Sequence, residues 1–292
     1  MFGIIVNPVS GGGKHRKIAH EIGVLLEKRG QEWRVYETQC EGDGTNEAQR
    51  AIDDGCSAVV CVGGDGTLSE VVQAVAGSGR TLYLVPCGTG NDFARALGLK
   101  HDPLAAFISQ LDGEETRVDC GCVNGKAFAN ISGSGFDVEV LRKTEELKAV
   151  YPGGKAYRKA VMAVLGSYRA FQADVVLDGG ETLSKRFTIV EIANGRYFGG
   201  GMLVAPKASY TDGTFDVVMI DRVAPWFIPF LLPLFILGVH IYIPIVRVVR
   251  AKEIVLRSRD MVLNIDGRLE LMDEARYSIM PGALRMRLPA RK

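Results

Sequence analysis

The chain has 292 residues, with 35 Lys and Arg against 34 Asp and Glu, a net charge of +1, and is 47% hydrophobic and 24% charged. That length and apolar content suit a globular protein of one large or two ordinary domains with a sizeable core. Near-neutrality argues against a nucleic-acid binder, which needs a basic excess to displace counterions from phosphates, so no nucleic-acid partner is expected.

In chain order, residues 2–6 read as an apolar strand. The chain opens on it without a basic n-region or apolar h-region, so no signal peptide is expected. Gly11-Gly12-Gly13-Lys14 then lies at the first strand-to-helix turn, where amides and the Lys14 charge can meet phosphate oxygens. It is not a Walker A loop: the earlier glycine is missing, and His15 stands where Ser or Thr would bind a metal. A solvated basic helix start made by Lys14, Arg16 and Lys17 is the alternative. Ile18, Ile22, Leu25 and Leu26 form one helical face ending near Gly30, residues 33–36 read as a strand, and Ala48, Ala51 and Ile52 mark a helix closed by Gly55. The alternation predicts right-handed βαβ units and a mostly parallel sheet.

Two glycine turns follow. Gly63-Gly64-Asp65-Gly66-Thr67 comes after the apolar run 58–62, and Gly88-Thr89-Gly90-Asn91-Asp92 after the run 82–85. Each precedes a helical pattern or its start, which puts free backbone N–H groups at the strand-exit edge of an open sheet, where α/β folds bind ligands. Glycine lets a phosphate or ribose approach the main chain more closely than a Cβ permits. Asp65 can hold a phosphate-bound Mg²⁺ directly or through water. A tight turn with Asp65 capping the following helix is the plainer alternative.

Beyond residue 122 the pattern changes to short strands: a hairpin turn at Val123-Asn124-Gly125-Lys126, another at Asp178-Gly179-Gly180, and further strands at 215–220, 254–257, 261–265, 275–279 and 284–288. A helical stretch over about 145–171 interrupts them. Residues 1–122 are therefore expected to form an α/β domain and 123–285 an antiparallel β domain with helical insertions, with a cleft between them. The apolar run 224–249 is the strongest hydrophobic signal, but Pro225, Pro229, Pro233 and Pro244 with Gly238 make a spanning helix a poor reading, since backbone groups freed in lipid stay unsatisfied. It is either packed core or a membrane-surface contact. Cys40, Cys56, Cys61, Cys87, Cys120 and Cys122 contain no Cys-x-x-Cys pair and read as reduced thiols of a cytoplasmic protein.

The start Asn7-Pro8-Val9-Ser10-Gly11, the turn at Gly63 to Thr67 with Glu70 after it, and Pro86-x-Gly88-Thr89-Gly90-Asn91-Asp92-Phe93-Ala94-Arg95 resemble the soluble bacterial diacylglycerol kinase and lipid kinase family. The likeness continues through Asn194-Gly195, Gly199-Gly200-Gly201-Met202, Asp212-Gly213-x-Phe215-Asp216, Asp266-Gly267 and Pro281-Gly282. The resemblance implies an NAD kinase- or phosphofructokinase-like α/β N-terminal domain, then an antiparallel β-sandwich, with residues 286–292 packing back on the first domain. It implies an ATP-dependent kinase of a membrane lipid, diacylglycerol foremost, with Mg²⁺, working in the cytoplasm at the inner face of the membrane through transient surface association; a homodimer stays open. Asn7, Ser10, Lys14, Gly63, Gly64, Gly66, Thr67, Gly88, Thr89 and Asn91 would line the nucleotide site. Asp65 would act beside Mg²⁺ and phosphate, Asp92, Arg95 and Asp119 would form a supporting charge network, and Asp212 would hold a structural Mg²⁺, although Asp212-Gly213 also reads as an ordinary turn.

One departure stands out. Relatives usually carry a glutamate after the Asp-Gly pair as the base for the lipid hydroxyl, whereas this chain reads Asp266-Gly267-Arg268-Leu269-Glu270. Arg268 cannot accept a proton. Either Glu270 reaches in, or Asp266 substitutes, or the chain is a weakly active or non-catalytic nucleotide- or lipid-binding protein; a kinase of a soluble substrate such as NAD is a further alternative.

Overall fold

A computed structural model describes residues 1–8, 13–148, 150–151 and 154–289. Ser10, Gly11 and Gly12 of the first turn lie outside the described residues. In the first lobe, β1 (Phe2–Val6), α1 (Lys14–Lys28), β2 (Trp33–Glu37), α2 (Asp43–Asp53), β3 (Ala58–Gly63), α3 (Asp65–Val75) and β4 (Thr81–Pro86) alternate. The strands pair in parallel in the order β2-β1-β3-β4. Every residue of β1 and β3 is buried, as expected of parallel strands covered on both faces. Successive residues go to opposite sides: Ile5, Val59, Cys61 and Leu84 pack under α2 and α3, whereas Ile4, Val60, Val62 and Val85 pack under α1. Short α4 (Asp92–Ala96) follows the second glycine turn, and α5 (Pro103–Leu111) packs beside α1, with Phe107 buried among the residues under α1.

The second lobe is entered through β5 (Glu114–Val123), β6 (Lys126–Phe128) and β7 (Ile131–Gly135). The expected hairpin forms, pairing Cys122 with Ala127 and Val123 with Lys126. Two helices follow, α6 (Phe136–Lys148) and α7 (Gly154–Leu165), so the helical part begins nine residues before the expected 145 and ends short of Phe171, which opens a strand. The start of α6 is hidden because Phe136-Asp137-Val138-Glu139-Val140 alternates apolar and polar as a strand would. The antiparallel strands β8 (Phe171–Leu177), β9 (Leu183–Ala193), β10 (Tyr197–Phe198), β11 (Met202–Leu203) and β12 (Phe215–Asp221) come next. A short 3-10 turn (Pro225–Phe227) leads into α8 (Ile228–Leu237), and β13 (Val246–Ala251), β14 (Glu253–Ile265) and β15 (Arg268–Leu288) complete the lobe. Of the run 224–249, Ile228, Leu231 and Phe235 are buried against α6 and α7, while Trp226, Phe230 and Leu237 stand in solvent. Among the described residues no helix is long and apolar enough to cross a membrane.

β15 joins the lobes. It pairs with β14 at its start and with β5 further on, then places Arg285 and Met286 in parallel register against Thr81 and Leu82 of β4. Near the junction the Phe128 ring stacks on Phe215 at 5.7 Å between centroids and meets Tyr277 edge-on at 6.0 Å. Gly121 lies under the same ring, where a Cβ would strike it. Phe128→Ala is therefore expected to lower stability by about 3–5 kcal/mol, read from urea unfolding.

Candidate active site

The apolar strands β3 and β4 end side by side, so both glycine turns leave the sheet at one edge. There the backbones touch: a Cβ built on Gly64 would come within 2.9 Å of the Gly88 Cα, and one on Gly88 within 2.6 Å of the Gly64 Cα. Asn91 braces the second turn from within, its Oδ1 accepting from the Gly88 N–H at 2.9 Å and its Nδ2 donating to the Gly88 carbonyl at 2.7 Å. Asn91 itself adopts a left-handed backbone (φ 51) at the start of α4. Its amide is thus occupied with the loop, a role distinct from the nucleotide contact expected of it.

Asp65 opens α3, and its Oδ1 accepts the Asp92 N–H at 3.0 Å, tying the two turns together. Burial raises its pKa, and backbone N–H groups of Phe93, Asp92 and Asn91 oppose the shift. Asp92 is buried and uses Oδ2 to accept the Gly200 N–H at 2.8 Å, reaching the loop between β10 and β11. Its pKa is pushed up to about 6, first by burial and further by the Asp65 charge. Asp92 Oδ1 has no hydrogen-bond partner. Two neighbouring carboxylates, one with a buried free oxygen, form a donor set that fits a hard divalent cation carried by phosphates. Arg95 stands beside Asp92, with its guanidinium 5.8 Å from the centre of the Tyr197 ring.

A cleft of about 640 Å³ opens between the lobes over these groups. Asn7, Gly64, Gly66, Thr67, Gly88 and Thr89 line it from the first lobe. From the second come Asn130, Asp137, Tyr157, Asn264, Asp266 and Arg268. Gly63 ends β3 behind the turn, close against Thr67. Lys14 is exposed at the start of α1 and does not line the cleft, and His15 is buried with Nε2 3.0 Å from the Cys87 carbonyl oxygen.

The three candidate bases separate. Asp266 occupies a two-residue hairpin between β14 and β15, with positive φ at Asp266 (48) and Gly267 (92). It faces the cleft, but its carboxylate accepts the N–H groups of Ala129 at 2.6 Å, Asn130 at 3.1 Å and Ile131 at 2.9 Å. Burial pushes its pKa up to about 6 despite those bonds, with the Asp65 charge adding to the rise. Its oxygens are committed to the connection between β6 and β7. Glu270 does not reach in: it lies two residues beyond Arg268 along β15, outside the cleft lining, and holds Lys126 Nζ at 2.6 and 2.7 Å. The strand advances about 6–7 Å over two residues, which carries that side chain past the cleft. Arg268 pairs instead with Glu70, which also accepts the Gly42 and Gly44 N–H groups at 2.9 and 2.8 Å.

Asp119 is not joined to Asp92 and Arg95. It is buried and accepts the Gly213 N–H at 2.7 Å and the Gly282 N–H at 2.8 Å, fastening two turns of the second lobe. Asp212 accepts from Thr214 N–H and Oγ1 at 3.2 and 2.9 Å and faces Arg250 at 3.6 Å. Among the described residues no group of three His, Cys, Asp or Glu side chains is gathered for a metal. The Asp212 carboxylate is engaged by its own turn and by Arg250.

Fold and cleft define a two-lobed phosphotransferase. Comparison with known proteins narrows this further. The profile of the diacylglycerol kinase catalytic domain matches residues 1–123, and that of the YegS C-terminal NAD kinase beta sandwich-like domain matches residues 130–288. A diacylglycerol kinase of Mycobacterium tuberculosis is 31% identical over 296 residues, covering 98% of this chain and 94% of its own. One of Staphylococcus carnosus is 31% identical over 267 residues, with 90% and 87% covered. In fold, a diacylglycerol kinase structure from Bacillus anthracis matches with a TM-score of 0.81 at 23% identity over 99% of this chain and 97% of the other. An NAD kinase from Archaeoglobus fulgidus in complex with ATP matches with 0.55 at 15% identity, over 99% and 94%. The chain belongs to the diacylglycerol kinase family, and is an ATP-dependent kinase with an alcohol as acceptor.

Six carboxyls among the described residues, Asp65, Asp92, Asp137, Glu191, Asp216 and Asp266, have pKa values raised first by burial. A raised carboxyl holds its proton in the folded protein at a pH where the unfolded chain has released it, so stability falls as pH rises between about 4 and about 6. His240, lowered by burial, acts the opposite way below about 6.5 but is outnumbered. The nucleotide-free protein should therefore melt at least about 2 °C higher at about pH 5.5 than at about pH 7.5 in a calorimetric scan.

Proposed function

We propose that this chain transfers the γ-phosphoryl group of ATP to the hydroxyl of a membrane-borne lipid, diacylglycerol foremost, while resting transiently on the bilayer surface. The observation that carries the reading is a continuity of surfaces. At Asp137, Tyr157 and Phe198 the polar cleft meets a narrow apolar slit walled by Val140, Met202, Leu231 and Phe235. A soluble polar substrate has no use for such a wall, whereas a lipid alcohol needs a polar place for its head and an apolar one for its tail.

Beside the slit, Trp226, Phe230, Ile236, Leu237 and Tyr242 are all more than 60% exposed. An apolar group of that size, spread over α8 and the short turns on either side of it, is suited to the headgroup boundary of a bilayer. Lys207 Nζ sits 5.9 Å from the centre of the Tyr242 ring, adding a positive charge that favours anionic lipid.

In this reading the backbone N–H groups of the two glycine turns hold the phosphates, Thr67 and Thr89 add hydroxyls, and Asn7 stands at the cleft wall. Asp65 and Asp92 would hold Mg²⁺ on the phosphates, which supplies neutralisation of charge at the transferred group. Glu70 keeps Arg268 within the cleft wall as an ion pair.

Phosphorylation of diacylglycerol in mixed vesicles with labelled ATP tests the proposal. Product is expected from the native chain, with Asp65→Ala lowering kcat by at least about a hundredfold. No product above that variant with any neutral lipid alcohol, while ATP still raises the Tm, would favour the non-catalytic binding alternative. Paired Trp226→Ser and Phe230→Ser substitutions should weaken vesicle co-sedimentation by at least about tenfold and leave the Tm unchanged, since both side chains are exposed in the free protein.

A further inference from the structure

Away from the phosphate turns, the second lobe buries two carboxyls together. Glu191 on β9 is completely inaccessible to solvent, and neither of its carboxyl oxygens meets a hydrogen-bond donor. Against it lies Asp137, in the first turn of α6, whose Oδ1 is also without a donor and whose Oδ2 accepts from Asn264 Nδ2 at 3.3 Å. Gly133 makes the room: it pairs with Glu191 across β7 and β9, and a Cβ there would strike the Glu191 carboxyl.

Two ionised carboxylates in contact and away from water repel strongly, but a single proton between them turns the contact into a hydrogen bond. The surroundings decide which one keeps the proton. Asp137 has the N–H groups at the start of its own helix, which favour its anion. Glu191 has no such help; burial, and then the Asp137 charge, raise its pKa well above the ordinary range. The pair is therefore a neutral Glu191 donating to an anionic Asp137.

Location gives the pair its meaning. Asp137 lines both the polar cleft and the apolar slit, so it marks the point where the head of an amphipathic alcohol would leave the apolar wall and face the phosphate turns. The slit encloses about 30 Å³, and Ile228, Leu231, Leu232 and Phe235 of α8 form one wall of it. The groups at the Asp-Gly turn do not serve: Arg268 is a cation, Glu270 is held outside the cleft by Lys126, and both oxygens of Asp266 are taken by backbone N–H groups.

Building on the lipid-alcohol reading above, we propose that Asp137 is the catalytic group that orients the acceptor hydroxyl and takes its proton, and that Glu191 is the positioning residue holding Asp137 through the proton they share. In the step, the hydroxyl oxygen bonds to the γ-phosphorus of ATP. The bond from that phosphorus to the β,γ-bridging oxygen breaks, its electron pair leaves with ADP, and the hydroxyl proton passes to Asp137. ATP is the only co-reactant.

The test compares the native chain with Asp137→Asn, Glu191→Gln and Glu191→Leu in diacylglycerol vesicles with labelled ATP. Asp137→Asn should lower kcat by about a hundredfold or more while the KM for ATP and the ATP-induced rise in Tm persist. Its own Tm should hold or rise, because a buried charge is removed. Glu191→Gln should keep kcat within about threefold, its amide N–H replacing the shared proton, whereas Glu191→Leu should lose at least about tenfold. A merely structural pair would instead lose Tm along with activity and show no rescue by Gln. Should Asp137→Asn not fold, the Gln-against-Leu contrast decides. An Asp137→Asn enzyme within about threefold of native kcat, or a Gln variant as impaired as Leu, overturns this inference and leaves the lipid reading standing. Absence of lipid product from the native chain overturns both.

Discussion

The site depends on the contact between two backbones at Gly64 and Gly88. No side chain fits there, because either Cβ would fall within 3 Å of the opposite Cα. That approach is possible because β3 and β4 pair in register up to Gly63 and Pro86, which delivers the two turns to the same height at the sheet edge. Once they touch, Asp65 can reach the Asp92 N–H, and Asp92 in turn reaches Gly200 in the other lobe. The placing of the two glycine turns and their tie to the second lobe therefore follow from one steric constraint, in which residues without side chains are required rather than merely tolerated.

A second constraint runs through β15. Strands that cross from one lobe to another usually leave the lobes free to rock, but this one pairs with β14, β5 and β4 in succession. Asp266, at its start, adds three N–H contacts to the β6–β7 connection, and Arg268 two residues later reaches Glu70 on α3. Backbone ladder, buried carboxylate and ion pair thus act in parallel at the cleft floor. The ion pair is largely shielded, since Glu70 is buried, so removing one partner would strand the other charge in a poorly hydrated place.

What the sequence disclosed follows from what is local. Glycine turns after apolar runs and the change from βα alternation to hairpins depend on neighbours within a few residues, and each has a direct counterpart in the structure, whereas α8 runs through Pro229 and Pro233 and ends at Gly238. Asp92 and Arg95, grouped with Asp119 on the family resemblance, stand three positions apart on one short helix, whereas Asp119 has its partners, Gly213 and Gly282, 94 and 163 positions away along the chain. The displacement of Glu270 could not be read either. Only the registration of β15 against its neighbours shows that two strand residues carry the carboxyl past the cleft to Lys126. Asp137 and Glu191 were missed for the same reason: each alone looks like an ordinary charged residue, one in a helix start and one in a strand. A single hint was present, the alternating small residues Gly133 and Gly135 opposite a glutamate inside an otherwise apolar strand.

The buried carboxyls are costly in the absence of ligand, and their distribution argues for function over stability. Asp65, Asp92 and Asp266 line one side of the cleft, with the Asp65 charge adding to the raised pKa of the other two, while Asp137 and Glu191 form a separate pair where the cleft meets the apolar slit. A protein selected only to fold would replace such groups with apolar residues of similar volume, often without loss. Retaining two clusters at opposite ends of a single cleft makes sense where one end meets a cation and phosphates and the other meets a hydroxyl that must lose its proton. The arginine at position 268 then has a place of its own: paired with Glu70, it closes the cleft wall as one half of an ion pair, and the proton acceptor is sought where the cleft meets the apolar slit.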